Sequence, residues 1–435
     1  MKIGFVVAGT FLSGGSYVIM QHAVRISRRS NHQVFMIMKE KMMHEDLYWF
    51  PDARELTWLQ YEEAKNIKYD CLIATWWMTC YELDNFESKA YLYFSQSVES
   101  KFFSNNDILM RKYADSTYLL GLNTITEATW IRDYLRTMYG IDAELVKNGI
   151  DKSVFTEVGF SLDKRRKDKL RVLVEGNLES SFKNITKTLD LCRKSRADEI
   201  WLLTGSAIDS YPGVDKVISR IPIDKTPEVY RSCDVLVKLS YVEGMFGPPL
   251  EMFHCGGTAI VYDVTGHDEY IENDVNAFVV KTDDDDSVIS YINKLKDEPR
   301  TLARLKKGAM ETASKWHNWD NSSIEFENAV ERCFKKKQLT QKQMEFKIKH
   351  FKEWYINNAM IESELIRMNE LIKNELVRMN ELIINESVRL DELIESLKKE
   401  KETRNLFFVA LQFYKKHGLW AVFRQSFIRI SGKKK

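Results

Sequence analysis

The sequence predicts an α/β fold: two Rossmann-like domains in series, then a helical coiled coil and a basic amphipathic tail. Three observations predict it. Short β-rich apolar runs alternate with amphipathic stretches through the first 155 residues, and the alternation starts afresh at Leu170, as expected for parallel sheets covered by helices. Between the two series, Lys147-Asn148-Gly149-Ile150-Asp151 gives a turn signal followed by a polar stretch to Lys169. From about Gln341 to Leu397 the chain is almost free of Gly and Pro and dense in Glu, Lys, Leu, Ile and Asn. At roughly 150 residues per domain, 435 residues suit about three units.

The elements follow in order. Lys2–Ala8 is β-rich and ends at Gly9; Gly14-Gly15 then precede a helical pattern through Ile19, Ala23 and Ile26. Strands are expected at Gln33–Met38, Cys71–Trp76, Ala90–Ser95 and Leu119–Leu122, which places the first domain at 1–155. The second series runs Leu170–Glu175, Glu199–Leu203, Val217–Ile221, Val235–Leu239, Thr258–Tyr262 and Ala277–Val280, for a domain at 156–335 with a hinge near 150–170. Within 336–397 an eleven-residue unit repeats from Ile361, Ile372 and Ile383, with apolar residues at 361, 365, 368, 372, 376, 379 and 383. Eleven residues over three turns slightly exceeds 3.6 per turn, the period of a straight or mildly right-handed coiled coil. Residues 341–397 are therefore expected to join copies of the chain into a homo-oligomer; a single amphipathic helix on the globular body is the alternative. The segment 398–435 combines Phe413, Trp420, Phe423, Phe427 and Ile430 at helical spacing with many lysines and arginines.

Net charge is +1, but it is unevenly spread. Residues 398–435 hold 11 Lys/Arg against 2 Asp/Glu, leaving 53 against 61 in the rest. A cationic aromatic tail on an acidic body points to an anionic membrane surface; a helix packed on the protein's own core is the alternative. No nucleic-acid-binding motif accompanies the basic residues, so nucleic acid is not expected as a partner. The six cysteines form no CxxC pair, which argues against a zinc site or disulfide scaffold and for a reducing compartment. The first apolar run is too short for a signal peptide, and nowhere do 18 apolar residues run together. These features predict a cytoplasmic protein, peripheral on the inner face of the cell membrane.

The chemistry concentrates in one stretch, Val235 to Gly256. A strand ends in a turn carrying Glu243 and Gly244, and Pro248-Pro249 start a helix, where proline's missing N–H costs nothing. A helix beginning at the carboxyl end of a strand offers free N–H groups and a positive dipole to an anion. Glu243 and Glu251, eight positions apart, can then hold hydroxyls on either side of that anion. Hydroxyls flanking a diphosphate describe a nucleotide sugar.

The segment resembles the donor-site motif of the retaining glycosyltransferases of family 4, which have the GT-B fold and carry Glu, seven residues, then Glu. Cys255-Gly256, Asp263-Val264, Gly266-His267-Asp268-Glu269-Tyr270-Ile271, Tyr230 to Val235, Asn148-Gly149-Ile150-Asp151 and Gly14-Gly15 continue the resemblance over about residues 1–335. It implies transfer of a sugar from a UDP- or GDP-sugar onto a lipid-linked or growing surface glycan, of the bacterial surface-polysaccharide type. Carried over by position, Glu243 sits beside the donor sugar, Lys183 neutralises the diphosphate and Glu251 binds the ribose. Gly14, Gly15, Asn177, Phe246, Gly247 and Pro248 complete the donor site, with Gln96 and Trp76 on the acceptor side. The family's usual diphosphate-binding arginine is absent; Asn177 stands near its place, and Lys238 at a strand end is a candidate substitute. No metal and no cofactor beyond the donor are implied. Two other readings remain open: an inactive GT-B scaffold assembling partners through the coiled coil, and a soluble storage-polysaccharide synthase or phosphorylase.

Overall fold

The structure, a computed structural model, describes residues 1–399; the basic tail from 400 onward lies outside them. Residues Met1–Glu353 form one compact unit holding two parallel sheets, and a second unit begins at Trp354. The first sheet comprises β1 (Lys2–Val6), β2 (Gln33–Met38), β3 (Thr57–Gln60), β4 (Tyr69–Ala74), β5 (Ser88–Ser95), β6 (Asn123–Thr126) and β7 (Glu144–Leu145). Their order is β3-β2-β1-β4-β5-β6-β7. The second comprises β8 (Arg171–Glu175), β9 (Glu199–Thr204), β10 (Lys216–Ser219), β11 (Val235–Lys238), β12 (Thr258–Tyr262) and β13 (Phe278–Val280), ordered β10-β9-β8-β11-β12-β13. Both orders are the doubly wound one, which reverses between the first and fourth strands and opens a crevice at their carboxyl ends. Central strands such as β1, β8 and β12 read as continuous apolar runs because both faces are covered.

The first sheet departs from expectation at Leu119–Leu122 and in its two short outer strands, β3 and β7, neither of which was expected. Leu119–Leu122 is not a strand: Gly121 turns there at φ +85°, and β6 begins only at Asn123. β3 was not expected, because an edge strand with half-exposed side chains lacks a strong apolar signal.

Helix α1 (Gly14–Arg29) starts where the Ser13 side chain accepts from the Ser16 amide at 3.1 Å, and ends in Arg28 and Arg29, which suit the negative end of the helix. Helix α2 (Gly247–His254) carries Pro248 and Pro249 in its first turn. After the second sheet the chain returns to the first domain as α3 (Trp319–Lys335). There Phe326 stacks on His22 with centroids 4.2 Å apart, Trp319 meets Tyr17 edge-on, and Arg25 pairs with Asp320. His22 is fully buried with both ring nitrogens unpartnered, and burial holds its pKa near 3, so it acts as a neutral aromatic of the core. The outgoing and returning chain segments touch: Ile150 bridges to Asn318, and its N–H donates to the His317 carbonyl at 3.2 Å. At Gly149 a Cβ would fall 2.4 Å from the backbone of Asn318 and Trp319, so only glycine fits.

Helix α4 (Gln341–Lys399) begins with Met344 and Ile348 buried, and Lys347 donates to the carbonyls of Leu119 and Leu120. Farther along, the eleven-residue repeats lie on this one continuous helix. Ile361, Leu365, Met368, Ile372, Leu376 and Ile383 are 42–59% exposed, so the stripe has no cover within the described chain. Among the described residues no helix is long and apolar enough to cross a membrane.

Candidate functional site

The carboxyl ends of β1, β8 and β11 converge on a cavity of about 580 Å³ between the two sheets. Gly14 and Gly15 reach it from the start of α1, Asn177 and Lys183 from the loop after β8, and Glu243, Gly247, Pro248 and Glu251 from the loop after β11 and from α2. Gln96 and Trp76 line it from the first domain. Phe246 does not join them: its ring is fully buried and its carbonyl accepts from the Tyr270 hydroxyl.

The charges are tightly organised. Lys183 Nζ donates to both carboxylate oxygens of Glu243 at 2.8 Å. Lys238, 1% exposed at the end of β11, pairs with Glu175 and stands 3.8 Å from Glu243. Burial opposes the charge of Glu243, but the two ammonium groups outweigh it and hold its pKa below the usual carboxylate range. Lys238 is likewise held above the usual lysine range against its burial, by Glu175 and Glu243. Glu251 behaves differently. Burial pushes it up to about 7, despite the hydrogen bond it accepts from the Tyr230 hydroxyl at 3.0 Å. One carboxylate is thus fixed as an anion and the other is poised near neutrality, two environments suited to different tasks.

The sequence reading missed Glu127, Glu99 and Glu175. Glu127 follows β6 and is buried; its oxygens accept from the Met245 amide at 3.0 Å and from Asn148 Nδ2 at 2.9 Å. Burial raises it to about 7, and the same effect raises Glu99 to about 8. Glu127 therefore crosses from the first domain to the loop that carries Glu243. Trp130 Nε1 donates to the Gly244 carbonyl at 2.9 Å, and Lys147 reaches Glu269 at 2.6 Å, so Glu127, Trp130 and Lys147 grip that region from the first domain while Asn148 holds Glu127 in place. Gly244 is needed here, since a Cβ would stand 2.0 Å from the Gln96 carbonyl oxygen. The sequence signal, a lone Glu at the carboxyl end of a strand, was present but indistinct. Glu127→Ala should speed hydrogen exchange at the Met245 amide about tenfold, from loss of a charged acceptor. Unchanged protection by exchange mass spectrometry would show that the grip does not depend on Glu127.

Chemically, two lysines, the start of α2 and the start of α1 can stabilise a developing diphosphate charge. Glu243 and Glu251 are left to accept hydroxyls. Residues 215–312, which include both carboxylates, match the family model described as Glycosyl transferases group 1. The chain is an enzyme of the glycosyltransferase class. Its fold is similar to that of HepE from Anabaena, solved with UDP and glucose, at 13% identity and TM-score 0.63, covering 76% of this chain and all of that one. It is also similar to sucrose-phosphate synthase from Thermosynechococcus elongatus (16%, TM-score 0.60, 77% of this chain and 99% of the other). WaaG, a glycosyltransferase involved in lipopolysaccharide biosynthesis, gives 12%, TM-score 0.57, and 75% and 98% coverage. At such identities the likeness speaks for the fold alone. No curated protein sequence matches the chain.

Proposed function

We propose that the enzyme transfers a hexosyl group from a UDP- or GDP-sugar, with retention at the anomeric carbon, onto a lipid-linked or growing surface glycan. The observation that carries this reading is the cluster Lys183–Glu243 with Glu251, set at the switch points of both sheets and facing two helix starts. The UDP and glucose bound by HepE and the lipopolysaccharide role of WaaG support the donor and acceptor classes. In the reaction the acceptor oxygen bonds to the anomeric carbon as that carbon's bond to the phosphate oxygen breaks. The nucleoside diphosphate leaves with the electron pair, and the hydroxyl proton passes to it. Lys183, released from Glu243, meets the growing phosphate charge, while Glu243 orients the sugar hydroxyls. The intact charged cluster counts against a catalytically inactive scaffold. A screen of UDP- and GDP-sugars for nucleoside diphosphate release tests the reading; no release from any donor would refute it.

Two partners belong to the same proposal. A second copy of the chain would cover the exposed stripe of α4, since an apolar face of this length is unfavourable in water. Removing the residues after Cys333 should then reduce the oligomer to a monomer by light scattering; an unchanged mass would exclude this role. The tail at 398–435, which lies outside the described residues from 400 onward, would dock on anionic membrane with about 1 kcal/mol per basic residue, a contribution screened by salt. Liposome flotation should recover the protein with anionic vesicles and less in high salt. Equal recovery on neutral vesicles would rule that docking out.

A further inference from the structure

Charge is divided unequally across the cleft. Lys183 and Lys238 both belong to the second-domain wall. The first-domain wall, from Val7 to Ile150, contributes no lysine, arginine or histidine to the cavity; its carboxyl groups are Glu99 and Glu127. Lys101, beside Phe102 in sequence, is not part of that wall and lies over the rings of Trp130 and Tyr134, 5.8 and 5.7 Å from their centroids. The start of α1 is the single feature of this wall that favours an anion, and the donor reading already uses it. The wall's hydrogen-bonding character points the same way. Asn148 and Ser97 are 4% and 3% exposed, yet Asn148 Oδ1 and Ser97 Oγ have no partner. Because Asn148 Nδ2 is committed to Glu127, its free oxygen can only accept. The Asn148 oxygen is satisfied only by a molecule that brings a donor such as a sugar hydroxyl, and the Ser97 hydroxyl, which can donate or accept, pairs with such a hydroxyl as well. A phosphate dianion brings only acceptors, and it would be desolvated here without a cation. The half-buried Trp76 adds an apolar face at the same wall, suited to the C–H face of a sugar ring, while Phe102 stacks on Phe182 across the cleft with centroids 4.8 Å apart.

We infer that the acceptor residue entering this cleft is an uncharged sugar, the hydroxyl-bearing end of a neutral glycan, with no phosphate on the reacting unit. The inference rests on the donor reading above and names the acceptor class of the same site. Burial leaves Glu99 and Glu127 titrating near neutral pH, so each can accept from a sugar hydroxyl or donate to one.

The full-length protein is assayed with UDP- and GDP-sugars for diphosphate release. Methyl glycosides of glucose, galactose, mannose and N-acetylglucosamine are compared with the 1- and 6-phosphates of the same sugars. At least one neutral glycoside should accelerate release, and its phosphorylated forms should show kcat/KM at least about tenfold lower. Sugar phosphates that serve as well or better overturn the inference while leaving the donor reading intact. So does steady donor hydrolysis that no neutral glycoside accelerates. A protein that releases diphosphate from no nucleotide sugar, with or without any acceptor, loses both.

Discussion

Replacing Lys183 by alanine should lower kcat by about 10²–10³-fold, the usual cost of one preorganised donor aimed at developing charge. The lysine has two tasks. In the structure it holds both oxygens of Glu243 at 2.8 Å, and in the proposed reaction it would meet the departing diphosphate. Lys238 cannot replace it, since it is 3.8 Å from Glu243 and already engaged by Glu175. The variant also leaves Glu243 with weaker charge compensation in a buried place, so its carboxyl should take up a proton at a higher pH than in the parent. Steady-state kinetics with the accepted donor decide the matter. A kcat within threefold of the parent, at unchanged thermal stability, would remove Lys183 from the reaction.

Glu251→Ala should reduce donor kcat/KM by about 10–150-fold, because hydrogen bonds to a charged group are worth roughly 1.5–3 kcal/mol. The effect has a pH signature. Burial first, with Glu175 adding to it, raises the Glu251 carboxyl to about 7, against the opposing pull of Tyr230 and Lys238. Ribose hydroxyls donate best to the ionised form, so parent kcat/KM should climb as pH rises through about 7, and the alanine variant should lack that component. The stability consequence runs the other way. A carboxyl whose folded pKa exceeds its unfolded value binds more protons when folded, so its contribution is fullest below the unfolded value and fades as pH rises toward 7. A parent profile flat from pH 6 to 8, or a variant with unaltered donor kinetics, would contradict the assignment.

The parts of the site that could be read from the sequence are the local ones. Glu243, Pro248 and Glu251 sit within nine residues, and their spacing alone sets a loop and a helix turn side by side. Lys183 needed the family pattern. Glu127 and Glu99 were invisible for a physical reason: each is one acidic residue among many until the fold buries it, Glu127 against the Met245 amide and Glu99 against the Trp77 amide and the Tyr93 hydroxyl. Phe246 shows the converse. Its neighbours Gly247 and Pro248 face the cavity, but the turn before α2 sends the ring inward, and a motif read as a string has no inside or outside. The strand pattern was clearest where both faces are buried, as in β2 and β8, and failed at Leu119–Leu122, where an apolar run is bent by Gly121.

The chain passes between the two sheets twice, once on the way out near Gly149 and once on the way back near Asn318, and the two passages are bonded side by side. A pair of bonded strips works as a door does on a pin: it permits swinging about one line and resists sliding along it. A swing about that line would bring Glu127 back to the Met245 amide without any search for alignment. On the proposed function, such a swing would release product while the alignment of the two walls is kept from one turnover to the next. A bulkier residue at Gly149 would push the strips apart, and the door would then close out of true.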